Sequence, residues 1–138
     1  MERKLVIVVK GLVLFNGKLL IVKRSETNKF GAGTWEMIGG KLQVGEELED
    51  ALMREAEEEV GISVIPKRLL YATTINSDPT RQLVFLNYLS TSNKDIVNLS
   101  EEHTDYIWAT KSEARNLLTP KMMHDFEKHH VFDLKEWK

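Results

Sequence analysis

Arg54, Glu55, Glu58 and Glu59 stand together in the run REAEEEVG. From 46 to 59 the acids Glu46, Glu47, Glu49, Asp50, Glu55, Glu57, Glu58 and Glu59 face one base, Arg54, for a net −7 in a chain whose formal charge is −2. At the helical period of about 3.6 residues per turn, Leu48, Ala51, Leu52 and Ala56 share a face that must meet a core. Glu55 and Glu59 project into that arc, Glu58 flanks it, and Glu57 points to water. Carboxylates beside a core need a counter-charge or they take up a proton. Like charges at i,i+3 and i,i+4 cost a few tenths of a kcal/mol each, and the helix dipole disfavours acids in the last turn. Arg54 reaches Glu58 or Asp50, but one guanidinium cannot neutralise three carboxylates. A hard divalent cation, Mg²⁺ or Mn²⁺, can do so with oxygen ligands. Glu47, Glu49, Asp50 and Glu57 read as a solvated face.

Around this cluster lie secondary candidates. Gly39-Gly40 and Gly45 bracket a loop that allows close backbone approach to a ligand, and Gly61 suits a left-handed helix cap. Lys23, Arg24 and Lys41, beside the glycine loops, are candidate phosphate contacts. Phe30, Trp35, Tyr71, Phe85, Tyr88 and Trp108 include a possible base-stacking partner, although large aromatics mostly belong to cores. His103 reads as a lone exposed histidine, and His124, His129 and His130 as surface residues.

Elements must position these groups. The apolar runs 5–15 and 19–22 flank Asn16-Gly17, a strong hairpin signal. A polar loop at 23–33 precedes a short strand at 34–38, and the acidic helix spans 46–60. Strands follow at 62–74, 82–89 and 106–109, then helices at 111–118 and 120–130, the second with Pro120 at its start. Strands on both sides of an internal helix, with helices at the end, predict an α+β layered fold. No linker or repeat divides the chain, so 1–138 reads as a single domain.

There is no cysteine, which excludes disulfides and thiolate metal sites. Outside the acidic segment the charge sums to +5, a mildly basic surround without the basic stripe of a nucleic-acid binder. The N-terminal MERKLVIVVKGLVLF is interrupted by Lys10 and Gly11, lacks a small-residue cleavage site, and is too short to span a membrane. A cytoplasmic location is the expectation, with no membrane and no stable nucleic-acid partner. A monomer and a homodimer are both open.

The residues Gly40, Glu46, Arg54-Glu55, Ala56, Glu58-Glu59, Gly61 and Ile62 resemble the Nudix box, G-x5-E-x7-R-E-U-x-E-E-x-G-U with U aliphatic, over 40–62. The preceding WEMIGG is similar to the W-E-x-P-G-G of MutT-like members, with Ile38 where those usually carry proline. The resemblance implies a mixed β-sheet sandwiched between α-helices. It further implies hydrolysis of a nucleoside diphosphate linked to another moiety, by water and with Mg²⁺ or Mn²⁺. It assigns Glu55, Glu58 and Glu59 to the metal, makes Glu46 the partner of Arg54, and offers the Gly39 carbonyl as a further ligand. A loop glutamate, Glu102 or Glu101, would complete the set. Glu55, Glu58 and the loop glutamate all remain open as the general base. The rival reading is a non-catalytic module that senses a nucleotide on the same fold.

Overall fold

The computed structural model describes residues 2–138. Strand β1 (Lys4–Phe15) is the hub of the seven-stranded sheet. One edge pairs in parallel with β6 (Arg81–Ser92) from Lys4 to Leu14. The other edge is divided. Residues Val8 to Gly11 pair with β4 (Ile38–Lys41), and Leu14 and Phe15 pair with β2 (Lys18–Arg24). A strand paired along both edges and covered on both faces reads as a near-continuous apolar run, and 5–15 does apart from Lys10 and Gly11. Asn16 and Gly17 make the β1–β2 turn at φ 49° and 77°, the two positive angles that a type I′ turn requires.

Beyond β2 lie β3 (Trp35–Glu36) and β7 (His103–Ala109), and beyond β6 lies β5 (Val64–Ile75). The run expected as one strand at 34–38 is therefore two short strands that pair with different partners, β3 with β2 and β4 with β1. Strand β7 starts at His103, earlier than 106, because it continues pairing along β2 as far as Arg24.

Helices cover both faces, so the fold is a mixed sheet between α-helices. Helix α1 (Leu48–Val60) packs Ala51, Leu52, Ala56 and Val60 onto Val9, Val13, Leu20, Val22 and Ile38. On the opposite face Leu12, Leu14, Leu19 and Ile21 meet Ala114 of α2 (Lys111–Leu117), Phe126 of α3 (Pro120–Lys128), and Phe132 and Trp137 beyond it. Alternation along β2 does the sorting: Leu19 and Ile21 face one layer, Leu20 and Val22 the other. Thr110 and Thr119 cap α2 and α3, and Pro120 opens α3 as expected. Among the described residues no helix is long and apolar enough to cross a membrane.

Helix α1 begins at Leu48 rather than at 46. Glu46 stays in the preceding loop because its carboxylate accepts the Gln43 N–H at 2.9 Å while its own N–H donates to the Gln43 carbonyl at 3.1 Å. That tight turn holds it out of the helix.

Candidate active site

The division of β1's edge places β4 beside the second half of α1. Gly39 lies opposite Lys10 in the β1–β4 pair, and its N–H donates to Glu59 Oε1 at 2.7 Å. Gly39 has φ 145°, and a Cβ there would collide with the Val9 carbonyl oxygen, so only glycine lets the strand pass this close. A Cβ on Gly40 would overlap the Glu55 carboxylate. The diglycine thus makes a cradle in which two helix carboxylates rest against backbone.

Glu59 is buried, Glu55 is half-buried, and Glu57 and Glu58 are exposed. Arg54 organises the outer carboxylates. Its guanidinium grips Glu46 through Nε at 2.7 Å and Nη2 at 2.9 Å, and donates to Glu55 at 3.0 Å, to Glu58 at 3.2 Å and to the Lys41 carbonyl at 3.1 Å. Arg54 does not pair with Asp50. The hydrogen bonds that Glu46 accepts from Arg54 and from the Gln43 N–H lower its pKa to about 2. Burial raises the Glu55 pKa despite Arg54, with Glu58 and Glu102 adding repulsion.

Glu59 lies beyond the reach of Arg54 and belongs to a second network. Lys10 Nζ donates to Glu36 Oε1 at 3.1 Å and to the Met37 carbonyl at 3.0 Å. Arg24 Nη1 and His103 Nε2 both meet Glu36 Oε2 at 2.9 Å. Burial works against the Glu36 anion, but Lys10, His103 and Arg24 outweigh it and hold its carboxyl well below the usual range. Glu59 fares differently. Burial pushes it up to about 8, with Glu36 and Glu55 repelling it and only Lys10 and the Gly39 N–H opposing.

These groups open onto a cleft of about 730 Å³. Glu36, Glu55, Glu59 and Glu102 line it together with Lys10, Arg24, Lys41, Arg81 and Lys121. Phe30 and Phe85 stand in the same cleft, and the Arg81 guanidinium lies 4.3 Å from the Phe30 ring centre. Glu101 and Lys23 are not among the lining residues, and the Arg24 side chain is engaged by Glu36 and the Phe30 carbonyl.

The residues present fit a divalent cation. Glu59, Glu102 and His103 bring ligand atoms within 4.8 Å of one another, the glycine cradle leaves room for Glu55, and buried His103 Nδ1 has no hydrogen-bond partner.

His103 corrects its sequence reading: its side chain is 0% exposed. Strand alternation does not reveal it: counting back by twos from Ala109 and Ile107 passes the exposed Asp105, and the β2–β7 register shifts between Lys23 and Arg24, which turns His103 inward towards Glu59. His129 is likewise not a plain surface residue, since its ring stacks on Tyr71 at 4.5 Å. Lys10 and Glu36 were missed as site residues. A lysine inside a continuous apolar strand is itself the clue, since buried lysines need a counter-charge.

Fold and site together are those of a hydrolase acting on phosphoric anhydrides. Residues 5–133 match the NUDIX domain, and the chain belongs to the Nudix hydrolase family. It is 29% identical to the nucleoside triphosphatase NudI of Escherichia fergusonii, over 70% of this chain and 76% of the relative. It is 27% identical to the CTP pyrophosphohydrolase of Escherichia coli over 80% of both. The solved MutT protein from Methanosarcina mazei Go1 superposes with a TM-score of 0.84 at 26% identity, covering 98% of this chain and 99% of that one.

Proposed function

We propose that this protein hydrolyses a nucleoside triphosphate, or another nucleoside diphosphate linked to a further group, by attack of water on phosphorus. Mg²⁺ or Mn²⁺ would be held by Glu55, Glu58, Glu59, Glu102 and the Gly39 carbonyl. The observation that carries this reading is the convergence of Glu55, Glu59 and Glu102 in one cleft whose lining also holds cationic and aromatic side chains. The relatives named as a nucleoside triphosphatase and a CTP pyrophosphohydrolase support the nucleotide part.

When bound, the cation neutralises phosphoryl oxygens and makes water a better nucleophile at neutral pH. The chain's own groups do the rest. Arg54 fixes Glu55 and Glu58 from behind, so their carboxylates hold their direction. Glu55, half-buried and with a raised pKa, is suited to accept the proton of the attacking water. Lys41 and Arg81, which line the same cleft, offer charge to the phosphate chain. Phe30 and Phe85 offer flat apolar faces to a base. A cytoplasmic nucleotide pool is the setting this reading implies.

The test is incubation with nucleoside triphosphates, dinucleoside polyphosphates and nucleotide sugars, with Mg²⁺ in ¹⁸O-water. We expect release of a nucleoside monophosphate, with label on a phosphate product. Label only on a sugar carbon would overturn attack at phosphorus. Binding of nucleotide without turnover would instead identify a nucleotide-sensing module.

A further inference from the structure

The donor set around Glu59 is not made of oxygen alone. His103 Nε2 lies 2.9 Å from Glu36 Oε2. Glu36 is already paired with Lys10 at 3.1 Å and Arg24 at 2.9 Å, so its oxygens are acceptors and Nε2 must carry the hydrogen. In the neutral ring, Nδ1 then presents a lone pair. That lone pair is turned towards Glu59 Oε2 at 3.8 Å, and no group donates to it. The separation is too long for a hydrogen bond in either protonation state. With Glu59 in the carboxylate form that a cation requires, two acceptors face each other in a buried place, which is costly unless something positive lies between them. Glu102, exposed in the turn just before β7, brings a third ligand atom, all three lying within 4.8 Å of one another.

We infer that His103 Nδ1 is a nitrogen ligand to a divalent transition ion shared with Glu59 and Glu102, in a mixed nitrogen–oxygen site. The arrangement has its own support behind it. Glu36 fixes the tautomer and the ring plane, as a carboxylate behind a ligating histidine does, and Lys10 and Arg24 hold Glu36 in turn. Imidazole suits transition ions, whereas Mg²⁺ prefers oxygen and retains water. The centre therefore favours Mn²⁺ over Mg²⁺. This deepens the reading above and rests on it, since Glu59 and Glu102 belong to both.

Pulsed electron paramagnetic resonance on the Mn²⁺-loaded protein reads the ligand directly. We expect a ¹⁴N coupling from bound imidazole that changes to ¹⁵N in protein labelled at histidine. The coupling should vanish in His103→Gln and persist in His124→Gln. Calorimetry should show the preference for Mn²⁺ over Mg²⁺ falling about tenfold or more in His103→Gln, the scale of losing one member of such a set. Labelled wild-type protein decides the question even if His103→Gln does not fold. Mn²⁺ bound without nitrogen coupling would overturn this inference and leave the proposed hydrolysis standing. Failure to bind either Mn²⁺ or Mg²⁺ would overturn both.

Discussion

Glu59 carries a charge conflict that pH should expose. Burial raises its carboxyl to about 8, above the ordinary 4.5. A carboxyl whose folded pKa lies above its unfolded value stabilises the fold at low pH, and that stabilisation is lost as pH rises through the folded value. The metal-free protein should therefore lose melting temperature between about pH 5 and pH 9, and Glu59→Gln should flatten that loss. Thermal unfolding of both in chelator checks this, and parallel slopes would remove Glu59 as the cause. A cation that binds only the native state should raise the wild-type stability by about 2.7 kcal/mol at a hundred times Kd, and the shift should shrink in the variant. Kinetics separate the faces of α1. We expect Glu55→Gln to lower kcat by at least about a hundredfold, the scale of losing a group that stabilises transition-state charge. Glu57→Gln should be nearly silent, because Glu57 is exposed and accepts only the Ser63 hydroxyl, at 2.6 Å. Equal effects in the two variants would contradict the assignment of faces.

Strand β4 and helix α1 meet through two glycines that should fail differently. At Gly39 an alanine methyl would strike the Val9 carbonyl, a backbone atom of β1 where it pairs with both β4 and β6, at a φ that side chains rarely adopt. Gly39→Ala should cost at least about 2 kcal/mol of stability, measured by urea unfolding. At Gly40 the same methyl meets the far end of the Glu55 side chain, held only by Arg54. That end can swing aside, so Gly40→Ala should unfold within about 1 kcal/mol of wild type while losing activity and cation affinity. If both variants lost stability alike, the cradle would be a packing feature rather than a seat for Glu55.

Across the whole molecule the layer opposite α1 is closed by Trp137. It is 1% exposed, its Nε1 donates to the Ala109 carbonyl at 3.0 Å, and its ring lies 5.4 Å from that of Phe132 and 6.1 Å from that of Phe126. Removing so large a buried ring leaves a cavity, and Trp137→Ala should cost about 3–5 kcal/mol in urea unfolding. The acidic cluster lies on the other layer, so cation binding to the folded variant should be nearly unchanged. A large loss of cation affinity in folded Trp137→Ala would mean that the two layers are coupled.

What was legible beforehand was local. Leu48, Ala51, Leu52 and Ala56 disclose the buried face of α1 because a helix repeats every few residues, and Asn16-Gly17 discloses its hairpin because two residues set its angles. The pairing of Glu46 with Arg54 and the Nudix family itself were readable for the same reason, since the box is one continuous segment. The second network was not. Lys10, Glu36 and His103 are far apart in sequence, and they meet only because β1 divides one edge between β2 and β4 while β7 pairs with β2 back to Arg24. Strand pairing between distant segments is decided by the packing of the whole sheet, so sequence alone left Lys10 as an interruption and His103 as a surface residue. The tertiary structure makes them one buried polar network beside Glu59.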